Sequence, residues 1–261
     1  MTEQAIRNCL SVNCSRLECF EVIDSTNTYL KQQAIEGAPH KSIAVADAQT
    51  AGRGRMGRSF QSPRGKGLYL SVLLRPGVPA EKLMRSTGMA AVAAARAVER
   101  ISGAQTGIKW TNDLVLNGRK LCGILAETVM MGHEIALVIG VGINVHHERQ
   151  DFDGEVAALA TSLAMEGYSV ERETLAAALV EELYHLSDRL DGEIGDYLAD
   201  YRSRCVTLGK DVRLLWTDGQ ERAVALDIDE NFGLVVRREN GETSTVKTGE
   251  VSVRGLYGYV E

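Results

Sequence analysis

Apolar and polar positions along the chain describe short strands separated by a few helices. Leu17 to Ile23, Ser42 to Ala48 and Leu68-Tyr69-Leu70-Ser71-Val72-Leu73-Leu74 read as three strands. Between the first two, Tyr29 to Ile35 is helix-like, with Gly37 as its C-cap. Glu81 to Ile101 reads as one long Ala-rich helix, on which Leu83, Met84, Ala91, Val92, Ala95, Val98 and Ile101 suit a buried stripe. Glu134 to Val145 is a largely apolar strand that ends in Gly140-Val141-Gly142-Ile143-Asn144. Residues 148–168 read as a loop plus a short helix over Val156 to Met165, and Glu171 to Leu190 and Ile194 to Cys205 as helices of the scaffold. Residues 1–16 predict either a short helix or a loose arm.

After Leu208 the pattern changes. Asp211 to Trp216, Arg222 to Asp229, Gly233 to Arg237, Glu242 to Lys247 and Val251 to Leu256 are short strands. Asp218-Gly219, Asn231-Phe232-Gly233 and Asn240-Gly241 mark the turns between the first four. Five short strands in about 50 residues predict a small separate barrel.

The most specific local signal is Asn117-Gly118 between two apolar runs, a two-residue type I′ hairpin turn. It predicts a register with Leu116 facing Arg119, Val115 facing Lys120, Leu114 facing Leu121 and Asp113 facing Cys122. Alternation then puts Asp113, Val115, Lys120 and Cys122 on one face, with Asp113 and Lys120 as diagonal neighbours. The bland reading is a cross-strand ion pair. The functional one is a lysine offered to an anion beside a carboxylate, with Gly123 leaving room for a ligand.

Composition narrows the class. The 261 residues are 44% hydrophobic and 25% charged, enough for a buried core in one large domain or one large and one small. The formal net charge is −6, and a pI near 5.5 argues against nucleic acid as the main partner. Met1 to Arg16 has no apolar core, so no signal peptide is expected. No run approaches the roughly 18–20 apolar residues of a membrane span. Five cysteines, an odd number, suit reduced thiols in a cytoplasm. Cys9, Cys14 and Cys19 are not spaced like a zinc site. His146-His147 lack a third ligand at useful spacing and read as surface residues, so no metal ligands are assigned.

Against the acidic background, Gly52-Arg53-Gly54-Arg55-Met56-Gly57-Arg58 inverts the local charge. From Arg53 to Lys66 there are five basic residues and no acid. Glycine lets backbone approach a ligand closely, and arginine offers a planar fork of donors to carboxylate or phosphate. The pair describes a loop that closes over an anion, or else a solvated basic loop. Asp24-Ser25-Thr26-Asn27 is good N-cap chemistry, and its hydroxyls, amide and helix-start N–H groups could also hold a small polar ligand.

These stretches together resemble the biotin–protein ligases. The resemblance covers residues 18–261 and rests on Asp24-Ser25-Thr26-Asn27, Gln49, Gly52 to Arg58, Lys109-Trp110-Thr111-Asn112-Asp113, Gly118 to Leu125 and Gly140 to Asn144. Each motif alone is weak; their joint order and spacing are specific. The resemblance implies an α+β fold: a catalytic domain over residues 17–206, like that of class II aminoacyl-tRNA synthetases, with a mixed sheet and flanking helices. After it comes an SH3-like barrel over residues 207–261, which agrees with the five short strands, and before it an N-terminal arm over 1–16.

The implied reaction activates biotin with ATP and Mg²⁺ to biotinyl-5′-AMP and transfers biotin to a lysine of the biotin carboxyl carrier domain of acetyl-CoA carboxylase or a related carboxylase. By resemblance, Ser25, Thr26, Asn27, Gln49, Gly52, Arg53, Gly54, Arg55, Lys120 and Gly123 form the biotin site. Arg55, Lys109, Trp110, Asn112, Asp113 and Asn144 serve ATP and the adenylate, and Arg55, Lys120 and Asp113 carry the chemistry. The adenylate hydrolyses if water reaches it, so a Gly/Arg loop that orders on ligand binding has a chemical purpose.

Two positions depart from the family pattern: Thr111 stands where proline is usual, and Met56 where a further basic residue is common. Residues 1–16 are too short for a helix-turn-helix domain, so no DNA-binding or repressor role is expected. The expected location is the cytoplasm, with no membrane partner, and a homodimer stays open. The competing readings are a lipoate or octanoate ligase or transferase of similar fold, and a non-enzymatic ligand sensor.

Overall fold

The structure is a computed structural model describing residues 1–154, 156–216 and 219–247, and the backbone of 252–255. In chain order its elements are α1 (Glu3–Cys9), β1 (Arg16–Phe20), α2 (Thr26–Ile35), β2 (Ser42–Ala46), β3 (Gly67–Leu74), α3 (Ala80–Leu83), α4 (Ser86–Ser102), β4 (Gly107–Lys109), β5 (Asp113–Leu116), β6 (Arg119–Met131), β7 (Glu134–Asn144), α5 (Val156–Leu159), α6 (Arg172–Arg189), α7 (Gly195–Arg204), β8 (Asp211–Leu215), β9 (Gln220–Ile228), β10 (Leu234–Arg238), β11 (Thr243–Val246) and β12 (Ser252–Gly255).

The first seven strands form one mixed sheet in the order β1-β2-β3-β7-β6-β5-β4. β1 and β2 are parallel and the other neighbours antiparallel. A parallel pair needs a crossover, and α2 supplies it. One face of the sheet is covered by α4, α6 and their neighbours. Leu68, Leu70, Val72, Ile139, Val141, Ile124 and Cys122 point into that core. α4 is buried on nearly every side. Its alanines let the sheet, α6 and α7 approach closely, so the expected single apolar stripe understates its burial.

On the opposite face α2 covers only part of the sheet. Leu30, Ala34, Leu73, Val129, Ala136 and Val138 make a second, smaller core there. Beyond the N-terminus of α2 that face is built from Tyr69, Gly142 and Gly123 across one rung of the ladder, then Ser71, Gly140 and Leu125 across the next. A glycine-floored gap is what remains.

Several expected boundaries move. The predicted helix from Glu81 to Ile101 is two helices, broken where the Ser86 hydroxyl donates to the Leu83 carbonyl at 2.6 Å. α2 begins at Thr26, three residues earlier than predicted, because Ser25 caps it: the Thr28 N–H donates to Ser25 Oγ at 3.4 Å. The helix expected over Val156 to Met165 is one turn, α5, followed by a 3₁₀ turn at Ala164–Glu166. Of the two readings for residues 1–16, the helix is observed, with Ile6 fully buried in the main core.

The C-terminal strands form a five-stranded antiparallel sheet in the order β11-β10-β9-β8-β12. All five predicted strands are present, although Asp218 of one predicted turn, and Val251 and Leu256 at the ends of the last strand, lie outside the described residues. The sheet docks on the first through Phe232, which is fully buried and meets Tyr201 edge-on at 5.2 Å. Trp110 joins the two: its Nε1–H donates to the Phe232 carbonyl at 2.9 Å and its backbone N–H to Thr207 Oγ1 at 3.0 Å. Among the described residues no helix is long and apolar enough to cross a membrane.

Candidate active site

The gap beyond α2 is an open cleft with about 330 Å³ of free space, counted out to solvent. Ser25, Thr26, Asn27, Gln49, Arg53, Phe60, Tyr69, Gly123, Leu125, Gly140 and Gly142 are among its lining. The two glycines of β7 have different reasons. A Cβ on Gly140 would land on the Asn27 amide, so that position must stay bare for α2 to seat. A Cβ on Gly142 would come within 2.6 Å of the Phe60 ring, which lies over the sheet there.

One end of the cleft is the start of α2. The Thr26 backbone N–H donates to Gln49 Oε1 at 2.9 Å, and Gln49 Nε2 donates to Ser62 Oγ at 3.0 Å. Asn27 Nδ2 donates to the Leu125 carbonyl at 3.2 Å and to Glu127 Oε2 at 3.0 Å. Glu127 also pairs with Lys31 at 2.8 Å and with Arg53 at 3.3 Å. Burial works to raise the Glu127 pKa. Hydrogen bonds from Lys31 and Asn27, with the charges of Lys31 and Arg53, bring it net below its ordinary value. Glu127 is therefore an anion at neutral pH.

The other end lies past Gly123, on the hairpin. Lys120 Nζ sits 2.7 Å from Asp113 Oδ1 and 3.4 Å from where a Cβ of Gly123 would be. Arg55 Nη1 donates to Asn112 Oδ1 at 3.0 Å. Asn112 is held on β6 in turn, with its Nδ2 donating to the Ile124 carbonyl and its own carbonyl accepting from the Ile124 N–H, both at 2.9 Å. Arg55 Nη2 is buried and has no hydrogen-bond partner. Burial lowers the Arg55 pKa, opposed by the nearby Asp113 charge. A guanidinium keeps its charge regardless, so this end holds a buried donor without an acceptor, an arrangement that invites an anion.

The Gly/Arg loop connects the two ends. It is a small hairpin with a bridge between Arg53 and Ser59 and a 3₁₀ turn at its tip, Arg55–Gly57. Arg53 reaches back to the helix end and Arg55 forward to the hairpin end. Met56 is exposed at the tip.

The structure corrects several expectations. A bulge between Leu114 and Val115 shifts the hairpin register, so that Asp113 faces Gly123 and Leu114 faces Cys122. The unpaired residue is Leu121. Leu121 and Cys122 both enter the helix-covered core, so Cys122 does not share the face of Asp113 and Lys120. The Asp113–Lys120 contact survives because Lys120 precedes the bulge and its side chain is long. Trp110, expected at the nucleotide, is a core residue with its ring N–H already bonded to Phe232. Asn144 is buried and donates to the Thr161 carbonyl at 2.9 Å. Lys109 faces Asp113 at the sheet edge. The bare Cα of Gly52 makes room for the loop's own Phe60 carbonyl, and Gly54 packs beside Arg58. His147, expected at the surface, is fully buried, stacks on Phe152 at 5.0 Å and stands 3.4 Å from the Tyr69 hydroxyl. Burial pushes its pKa down to about 4.

Phe60, Ser71 and Glu127 escaped the sequence reading. Ser71 carried a usable signal, as a lone hydroxyl inside an apolar strand, and Glu127 another, as the one acid of its strand. Phe60 carried none, because a ring two residues past a basic loop reads as ordinary packing.

The profile of the biotin/lipoate A/B protein ligase family matches residues 19–144. The chain is 34% identical to a biotin–[acetyl-CoA-carboxylase] ligase of Mycobacterium tuberculosis over 234 residues, covering 87% of this chain and 85% of the relative. It is 34% identical to a bifunctional ligase/repressor BirA of Bacillus spizizenii over 231 residues, 85% of this chain and 69% of the relative. Its fold is similar to a biotin protein ligase from Aquifex aeolicus solved in complex with biotin and ATP, at a TM-score of 0.79 and 26% identity over 92% of this chain and 99% of that one.

Proposed function

The chain belongs to the biotin/lipoate A/B protein ligase family, and from that premise we propose that it joins biotin to protein at the expense of ATP. Biotin is activated as biotinyl-5′-AMP with release of pyrophosphate. The biotinyl group then passes to a lysine amine of a biotin carboxyl carrier domain, and AMP leaves. The observation that carries this reading is a contrast in hydrogen-bond satisfaction. At the helix end the polar groups are in fixed bonds, with Glu127 held by Asn27, Lys31 and Arg53. Beside Gly123, the hairpin and the loop bring up Lys120 and Arg55, whose buried Nη2 lacks an acceptor. A molecule with a polar uncharged ring and a carboxylate tail matches both ends.

Ser25, Thr26 and Gln49 then receive the ureido ring, and the bicycle lies against the Phe60 ring that covers Gly142 and Gly123. The carboxylate reaches Lys120 and Arg55. Bringing it to an α-phosphate sets two anions together, and donors already aimed at that point stabilise the charge on the pentavalent phosphorus. Asn112 holds the Arg55 fork in place. Mg²⁺ would enter on the nucleotide phosphates and offset their charge. Among the described residues no three His, Cys, Asp or Glu gather to cage an ion. The acceptor lysine must attack as a neutral amine, and Asp113 is the carboxylate we assign to take its proton. Loop 52–58 excludes water from the adenylate; protection of this loop from protease by biotin plus ATP checks that role.

We divide the chain into an N-terminal arm (1–16), a catalytic unit (17–206) resembling class II aminoacyl-tRNA synthetases, and a C-terminal unit (207–261) read as an SH3-like barrel. The five-stranded antiparallel sheet supports the last assignment. A lipoate ligase is the less favoured reading: the relatives and structures above are biotin enzymes, and a dithiolane ring offers neither N–H nor carbonyl to Thr26 and Gln49. Pyrophosphate exchange into ATP tests the choice directly. Exchange driven by biotin and not by lipoate is expected; exchange driven only by lipoate or octanoate would overturn it.

A further inference from the structure

Ser71 and Glu127 lie behind the cleft wall, and their hydrogen bonds run in one direction. Ser71 is fully buried on β3, with its Oγ 2.7 Å from Thr26 Oγ1 and 2.6 Å from Asn27 Oδ1. A hydroxyl has one proton, so Ser71 can donate to only one of them.

Asn27 decides which. Its side-chain amide faces the Leu125 carbonyl and the Glu127 carboxylate, and both of those are acceptors only. The NH₂ group must point at them, which leaves Oδ1 pointing at Ser71. An amide oxygen can only accept, and a buried one left without a donor costs about 1–3 kcal/mol. The Ser71 proton therefore goes to Asn27. Ser71 Oγ is left as an acceptor for the Thr26 hydroxyl proton. The other acceptor near that proton, Gln49 Oε1, is farther away at 3.2 Å and already accepts the Thr26 N–H at 2.9 Å, so the Thr26 proton goes to Ser71. It turns away from the cleft, and the face that Thr26 Oγ1 presents there is a lone pair. Gly140 makes the relay sterically feasible, because a Cβ there would displace the Asn27 amide.

We propose that Glu127, Asn27 and Ser71 are positioning residues that set the hydrogen-bond polarity of Thr26, so that this point of the cleft accepts an N–H from the ligand and rejects an acceptor. The inference rests on the biotin reading, in which the N–H belongs to the cyclic urea. Lys31 and Arg53 keep Glu127 ionised and so keep the relay pointed one way.

The test compares biotin with its cyclic-carbamate analogues, in each of which a ring oxygen replaces one ureido N–H. That change removes a donor, adds an acceptor and adds no bulk. The assay is acid-dependent ATP–pyrophosphate exchange, with direct calorimetric binding of each acid as a second readout. For Ser71→Ala, kcat/KM for biotin should fall about tenfold through KM, with kcat within twofold. For the analogue that loses the Thr26 contact it should fall less than twofold, so the preference for biotin shrinks. Asn27→Ala should shrink the preference in the same direction, because it removes the acceptor of the Ser71 proton and frees that proton for Thr26 Oγ1. It also keeps the inference testable if the Ser71 variant does not fold. A purely structural role would lower biotin and analogue alike; an unchanged preference in the folded variants, with biotin still bound, would overturn the inference alone. No biotin binding or biotin-dependent exchange by the unaltered protein would overturn the functional reading, and this inference with it.

Discussion

The two ends of the cleft solve opposite problems. At the helix end, Thr26, Asn27, Gln49 and Ser71 have partners before any ligand arrives, and Glu127 is neutralised by Lys31 and Arg53. At the hairpin end Lys120 has Asp113, but Arg55 keeps a buried nitrogen without an acceptor. The first end has its donors and acceptors matched; the second holds a cationic donor still unmatched. On the function proposed, binding falls to the first end and chemistry to the second, and substitutions at the two ends should fail differently.

The sharpest division is kinetic. Arg55→Ala or Lys120→Ala should lower biotin-dependent ATP–pyrophosphate exchange by about 10²–10³-fold, the usual consequence of removing a donor aimed at developing charge. Exchange at the unaltered rate in both variants would remove the charged end from the chemistry.

The next effect tests the floor shared by both ends. Tyr69 lines the cleft and stands against His147, whose pKa is depressed to about 4 by burial. An unfolded histidine takes its proton near pH 6.5, whereas the folded one resists it. This contribution to stability is complete above about pH 6.5 and is lost as the pH falls towards 4, on the order of 3 kcal/mol in all. Chemical denaturation across that range should show the decline, and His147→Gln should flatten it. A slope unchanged by the substitution would refute the assignment.

Glycine substitutions sharpen the comparison further. Gly140→Ala forces a Cβ into the Asn27 amide and should destabilise the protein by about 1–3 kcal/mol as well as weaken biotin binding. Gly123→Ala meets the edge of the Phe60 ring at 3.2 Å and should be milder in stability. Equal melting temperatures for the two variants would contradict the seating of α2 on Gly140. The smallest effect is expected from Ser25→Ala, which removes the α2 cap at about 1 kcal/mol of stability. It should raise KM for biotin and leave kcat in place; a loss confined to kcat would break the division between the ends.

Much of this arrangement was legible in the sequence. The strand and helix order, the Asn117-Gly118 turn, the cap at Ser25 and the C-terminal strands follow from periodicity and turn chemistry, which act over a few residues. The Asp113–Lys120 contact was foreseen as well; of its predicted register the pairs Leu116–Arg119 and Val115–Lys120 hold, and those at Leu114 and Asp113 are shifted by one. The bulge at Leu114/Val115 arises where β6 pairs with both β5 and β7, and the hairpin alone contains no information about its third strand.

By itself, then, the sequence determined which chemistry is present: a capped polar helix start, a loop of alternating glycine and arginine, a hairpin lysine beside a carboxylate, and bare positions on a strand. Tertiary structure alone decided how those groups face one another. It sent Trp110 and Cys122 inward, divided Arg53 and Arg55 between the two ends, buried His147 and placed Ser71 and Glu127 behind Thr26. The physical reason is range. Capping, turn formation and amphipathic periodicity depend on neighbours in the chain. The direction of a buried proton instead depends on acceptors 44 to 100 residues away, which meet only when the sheet closes.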